Sequence, residues 1–392
     1  MAILVICAHL LLGTGASADW PQFRHDPART GLADGPGPTL MQAVWSTPLG
    51  APVHASAAVV AGAVYVADTS GVVYCVDAET GQVRWSTPLP DSVTSSPAVS
   101  GQVLVIGCVN RFIYGLNAAS GAVLWRLRTG RSVVSSPAVV DGTFLCGSTD
   151  GSLYAGSLET GKELWRTAPG GEVQGPPAVL GDRVYYGDMN GHVYAVRLAD
   201  GQPLWPEPYA AQGPILSGVT ATPEAVVAAS LAPTQLQPPN TRVIHVLAPD
   251  TGQLLWAGNP PNVWAAEKGE ESPSAPVLPT VLGGGLFFSF YVGYSNSQQV
   301  WVSAALATGA RAGALSGPAR NQVWPMSDSS PAVADGVLYF GDYGGHLCRI
   351  SIADQFAPLP WLDLGAKVSA SPAISDGRLY VGTADGKLHC IQ

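Results

Sequence analysis

Charge is scarce in this chain. Charged residues make up 12% of its 392, four of them are lysines, and the balance is −9 at neutral pH. Nucleic-acid binding leans on lysine and arginine to neutralise phosphates, so an acidic chain with no basic run argues against such a partner. Long apolar runs are also missing. Beyond residue 18 no segment reaches the roughly 18 continuous apolar residues of a membrane-spanning helix. Cysteines are few and scattered: after Cys7 come Cys75, Cys108, Cys146, Cys348 and Cys390, none adjacent to another and none spaced C-x-x-C. Zinc binding is therefore poorly supported, and small buried strand residues are the expected role. A Cys108–Cys146 disulfide has no support in the repeat register, because the two differ by two places within it. No segment carries a helical period, and glycine and proline are dense, which excludes a helical repeat. No G-x-S-x-G, H-E-x-x-H, P-loop or EF-hand spacing occurs.

What the chain does have is a period. Trp45, Trp85, Trp125, Trp165 and Trp205 are spaced by 40 residues, as are Gly81, Gly121, Gly161 and Gly201, and so are Pro97, Pro137 and Pro177. A fixed period of this length marks a repeat architecture. Within residues 133–170, the segments VVSSPAVV, TFLCGS, SLYAGSL and KELWRTA are short and rich in β-branched, aromatic and small residues. DG, TDG and ETG separate them and supply the positive-φ positions of tight hairpins. Four strands joined by three hairpins, repeated radially, make a β-propeller; the rival β-helix has shorter rungs.

Residues 53–90, 93–130, 133–170 and 173–210 are four clear copies. A fifth runs from 215 to 258, places Trp256 in the repeat position, and contains the insertion LAPTQLQPPNTR (231–242). A degenerate sixth covers 272–315, and the seventh ends at PLPWLDLG. The last copy, VSASPAISDGRLYVGTADGKLHCIQ, has three strands, and MQAVWSTPLG with Trp45 in register supplies the fourth. The expectation is an all-β, eight-bladed propeller of four-stranded antiparallel blades, the last closed by the N-terminal strand. That closure removes a free sheet edge. Residues 19–392 are read as one domain, and a monomer is expected.

The core D/E-x-x-T-G-x-x-x-W, here VDAETGQVRW, SLETGKELW and LAPDTGQLLW, resembles the pyrroloquinoline-quinone-type (PQQ-like) repeat family. DWPQFRHDPARTG resembles the leader of exported bacterial members. The resemblance covers Asp19 to Gln392. It implies that each repeat tryptophan packs between neighbouring blades onto a glycine-bearing turn. It does not settle activity, because the same propeller serves quinoprotein dehydrogenases, the propeller lipoprotein of the outer-membrane β-barrel assembly machine and non-enzymatic proteins. The dehydrogenases carry a vicinal Cys–Cys pair, a calcium held by Glu and Asn, a catalytic Asp and long insertions. This chain has no Cys–Cys, and its loops are mostly two to four residues.

Residues 1–18, MAILVICAHLLLGTGASA, read as a signal peptide cleaved after the A-x-A of Ala16 and Ala18, although no basic residue precedes the apolar stretch. Export to the periplasm or the exterior follows. Chemistry in a propeller sits on loops at one end of the channel. The loops before the innermost strands hold His54, Thr94, Arg131, Glu172, Gln174, Trp324 and Asp328. The turns joining second to third strands hold Asp68, Asn110, Arg111, Asp150, Asp188, Asn190, Asp342 and Asp385. Asp68, Asp188 and Asp342 share a repeat position and form either a cation-holding ring or caps on their own hairpins. His192 and His346 also repeat, and a surface or interblade role is expected for them. The candidate interaction face is Arg111, Arg131, Glu172, Asp188, Trp264, Trp324, Asp328 and Asp342. Trp264 lies out of register in the second insertion, 258–276, beside Glu267, Lys268, Glu270 and Glu271, as an anchor for a protein. The leading expectation is a non-enzymatic exported scaffold that binds envelope or extracellular proteins and takes no cofactor. The alternatives are a dehydrogenase with PQQ and calcium, and a carbohydrate-binding propeller with Trp264, Trp324 and Tyr343 stacking on sugars.

Overall fold

A computed structural model describes residues 18–211, 213–231, 242–258, 278–292, 298–309, 311–316, 328–354 and 357–392. Among these residues the chain forms eight four-stranded antiparallel sheets arranged in a ring. Blade one is Ala58–Val60, Ala63–Ala67, Val72–Asp77 and Val83–Pro88, and the later blades follow in chain order. Blade eight takes Ala373–Ser375, Arg378–Gly382 and Lys387–Ile391 from the C-terminus and Ala43–Pro48 from the N-terminus. In that closure Trp45 pairs with Cys390 and Pro48 with Lys387. Both edges of the chain are thereby spent on one sheet, as the register of Trp45 requires.

The strands differ by radius. First strands are three residues long in most blades; in blades two, three and four the preceding Pro97, Pro137 and Pro177 have no N–H to extend the ladder, whereas blade one has Ala57 there and is equally short. Second strands are almost wholly buried, while fourth strands alternate exposed and half-buried positions. Blade four departs from the pattern. Its fourth strand shrinks to Tyr209–Ala210, since Pro206 and Pro208 cannot donate to the ladder.

The tryptophans lock the seams between blades. Trp45 Nε1–H donates to Ala78 O (3.1 Å), Trp85 to Ala118 O (2.9 Å), Trp125 to Leu158 O (2.9 Å), Trp165 to Leu198 O (2.8 Å), Trp205 to Pro249 O (2.9 Å) and Trp256 to Leu306 O (2.6 Å). Each acceptor opens the turn between third and fourth strands of the next blade. The turn glycine lies under the indole: a β-carbon on Gly81 would come within 2.7 Å of Trp45, and one on Gly201 within 2.6 Å of Trp165. These glycines also sit near φ +70°, so both conformation and space demand the missing side chain. The packing that the repeat resemblance implied is thus present at six seams. In blade seven the sequence offers ADQF instead of a T-G turn, and blade eight has its two chain ends there. The seams six–seven and seven–eight carry no such tryptophan among the described residues, and Trp361 of blade seven is exposed.

Cys75, Cys108, Cys146, Cys348 and Cys390 are all free and buried, so Cys108 and Cys146 are not joined. Among the described residues no helix is long and apolar enough to cross a membrane.

Candidate functional site at the channel mouth

The axial channel is closed at one end by the leader, residues 18–34. It runs past the first strands and bonds to blade after blade. Trp20 exchanges both main-chain hydrogen bonds with Val59 of blade one (2.7 Å each), Pro21 O accepts from Val99 of blade two, and Gln22 bonds Val139 of blade three through its side chain. Pro27 O accepts from Val179, Ala28 O from Ala221, and Gly31 O from Val333. Two arginines hold this plug. Arg29 donates to Pro137 O (2.8 Å) and Pro177 O (2.9 Å), joining blades three and four. Arg24 donates to Pro331 O (2.9 Å), Pro279 O (3.1 Å), Leu278 O (3.2 Å) and Thr280 Oγ1 (2.7 Å), joining blades six and seven. Arg24 therefore braces a seam that lacks a tryptophan. Both guanidinium groups are fully enclosed, and burial pushes their pKa values down to about 9 and about 10, so both remain charged at neutral pH. Their carbonyl acceptors satisfy the charge that burial would otherwise make costly.

Above the plug a belt of serines circles the axis. Ser371 N–H donates to Ser56 Oγ (3.0 Å), Ser56 N–H to Ser96 Oγ (2.9 Å) and Ser96 N–H to Ser136 Oγ (3.0 Å). Leu278 N–H donates to Ser330 Oγ (3.0 Å), and Ser330 N–H to Ser371 Oγ (2.9 Å). The segments just before the first strands supply this belt: S-S-P for Ser96, Ser136 and Ser330, A-S-A for Ser56 and A-S-P for Ser371. With Phe23 of the leader as its floor, the belt encloses a mouth of about 170 Å³. Pockets for drug-sized ligands start near roughly 300 Å³.

The predicted rim residues separate into two groups. Arg131 pairs with Glu172 (3.2 Å) across blades three and four, and Glu172 accepts from Gln174 Nε2 (2.7 Å). On the opposite side Lys367 lies 3.6 Å from Asp328 and 3.4 Å above the Tyr343 ring, and Tyr343 O–H donates to Asp328. His54 Nδ1 meets Ser369 Oγ at 2.5 Å; burial, with help from Lys367, lowers its pKa and favours the neutral ring. Asp68, Asp188 and Asp342 are buried and turned away from the mouth. Each caps its own hairpin: Asp68 accepts from Ser70, Val72 and Tyr74, Asp188 from His192 N–H and Tyr194 O–H, and Asp342 from His346. A ring of carboxylates is not what their geometry makes, and Asp188 and Asp342 offer no surface to a partner. Among the described residues no group of three or more His, Cys, Asp or Glu is arranged to hold a metal ion. Arg111 is exposed on blade two, while Trp264 and Trp324 lie outside the described residues.

The plug and the belt are absent from the residues singled out by sequence reading. The belt had a visible signal, since Ser96 and Ser136 stand 40 residues apart beside the repeat prolines. Arg24 and Arg29 had none, because they lie outside the repeats they brace.

A family model described as outer membrane protein assembly factor BamB matches residues 41–131 and 109–355. The chain belongs to that family. No curated protein matches it. Among solved structures, BamB from Moraxella catarrhalis is similar over 90% of this chain and 100% of its own, at 18% identity and a TM-score of 0.70. The computationally designed Ika8 protein is similar over 89% of this chain and 99% of its own (17% identity, TM-score 0.72). A quinohemoprotein alcohol dehydrogenase from Comamonas testosteroni is similar over 95% of this chain and 80% of its own (16% identity, TM-score 0.73). At these identities the likeness is one of fold. BamB is spanned from end to end, whereas the dehydrogenase extends beyond the shared propeller.

Proposed function

We propose that this chain is a non-enzymatic protein-binding scaffold of the cell envelope, exported by way of residues 1–18 and working in the assembly of outer-membrane proteins. The observation that carries this reading is the filled channel. The leader occupies one end, and the mouth left between the described residues, about 170 Å³, lies below the roughly 300 Å³ at which pockets for drug-sized ligands start. No vicinal cysteine pair is present to stack on a quinone ring. The described residues at the mouth therefore do not fit PQQ. The BamB family match and the end-to-end coverage of the Moraxella protein support the same reading. A sugar-binding role has less support, since Tyr343 is covered by Lys367 and bonded to Asp328.

The test is affinity capture from a solubilised envelope extract with the mature chain as bait. The expected result is a specific outer-membrane assembly protein, displaced by excess untagged chain. Recovery of nothing that untagged chain displaces would overturn the reading.

A further inference from the structure

Five described turns between second and third strands carry glycine at one repeat position: Gly71, Gly151, Gly191, Gly345 and Gly386, with φ between +79° and +93°. In blade two that position is Arg111, at φ +75°. The place suits glycine for two reasons. Left-handed backbone disfavours a β-carbon, and the following loop lies close, so that a β-carbon on Gly191 would stand 2.6 Å from Gly213 O. Blade two accepts this strain and keeps the turn: Arg111 O accepts from Thr129 N–H (2.9 Å), the main-chain bond that Gly71, Gly191, Gly345 and Gly386 make in their own blades. A strained residue held firmly in place is a mark of function.

Arg111 has company. Sheet register sets Phe112 opposite Arg128 and Tyr114 opposite Arg126, so both arginines share a face with Phe112. The Arg126 guanidinium lies 5.2 Å from the Phe112 ring centre. Arg84, Arg131, Arg166, Arg183 and Arg197 each have a carboxylate partner. Arg111, Arg126 and Arg128 are exposed, and among the described residues none of them is in an ion pair. Three unpaired arginines around a half-exposed phenylalanine stand out on a chain of net charge −9.

Their strand, Val123–Arg128, is the outermost of its sheet and pairs on one side alone. It carries no proline, unlike the outer strands of blades one, seven and eight, so its edge can accept another strand. Alternate residues of a strand are roughly 6.6 Å apart on one face. The geometry points to a docking site for an extended, acidic segment of a partner protein: it adds to the edge of Val123–Arg128 and sets alternate carboxylates against Arg126 and Arg128, with Arg111 closing one end. The complementary charge selects carboxylates, and edge pairing selects a polypeptide. Nucleic acid would meet three arginines on an otherwise acidic chain. This inference rests on the protein-binding reading and names the chemistry of the partner.

The probe is an eight-residue peptide alternating Glu with Thr, compared with its Gln-for-Glu counterpart, on the full-length mature chain. The Glu peptide should bind and the Gln peptide should bind about tenfold more weakly or worse. The R126Q/R128Q double variant should lose a similar factor. Arg111→Gly should also weaken binding yet melt no lower than the parent, because glycine suits that turn. If R126Q/R128Q aggregates, Arg111→Gly still reads binding on an intact fold. Equal binding of the two peptides, no binding at millimolar peptide, unchanged binding by Arg111→Gly, or tighter binding of a single-stranded oligonucleotide of equal charge would overturn the proposal. Capture from envelope extract separates the two levels. A partner retained by R126Q/R128Q sinks this site and leaves the scaffold reading standing, whereas no partner for the parent chain sinks the scaffold reading itself.

Discussion

Trp125 and Gly161 act as one unit. The Trp125 ring is 9% exposed, stacks on Phe144 at 4.9 Å, and lies where any β-carbon on Gly161 would fall. Trp125→Ala removes the ring and orphans the Leu158 carbonyl, which should cost about 3–5 kcal/mol. Gly161→Ala is also destabilising, both through its φ of +69° and through the clash with the ring. Once the ring is gone, the clash term vanishes. Urea unfolding of both single variants and the double should therefore show a double cost clearly smaller than the sum. An additive cycle would mean that the indole and the glycine do not share the seam. This pairing was legible in the sequence, since both residues keep the 40-residue step. The buried hairpin caps Asp68, Asp188 and Asp342 were half legible. Their spacing identified the turn, but two opposite uses of a carboxylate share one sequence pattern, and the direction of the side chain decides between them.

The leader is the element that sequence periodicity could not describe. A repeat announces what recurs, and Arg24 and Arg29 occur once. All but one of their acceptors are main-chain carbonyls, which leave no side-chain trace. Arg24 joins blades six and seven, where no tryptophan does, so that seam should depend on it. Arg24→Met keeps the volume and the apolar stem but leaves five carbonyls (Arg29, Thr30, Leu278, Pro279 and Pro331) and Thr280 without their donor. Each unsatisfied buried group costs about 1–3 kcal/mol, partly offset by no longer burying a charge. A net loss of about 3 kcal/mol is expected, with the earliest rise in amide exchange in the first strands of blades six and seven. Exchange that rises first at blades two and three would show that the leader does not brace this seam. Arg29→Met, at seams that do carry tryptophans, should cost less.

For the whole ring, composition and period together were enough for the fold. Eight blades, the four clear copies, and closure by Ala43–Pro48 all follow from the step of 40 and from a three-stranded remainder at the C-terminus. Function was less legible, because the residues that recur build seams and caps, and those that differ between blades are few. Arg111 is the clearest of these: an arginine where the five other described turns keep glycine. In the proposed function, a channel filled from one end and narrow at the other sets a scaffold apart from a quinone enzyme on the same propeller. Calorimetric titration of the mature chain with PQQ in excess calcium tests this most directly. No saturable heat is expected at ligand concentrations up to about 1 mM, equivalent to a binding free energy weaker than about 4 kcal/mol; saturable binding at micromolar PQQ, one quinone per chain, would overturn the scaffold reading.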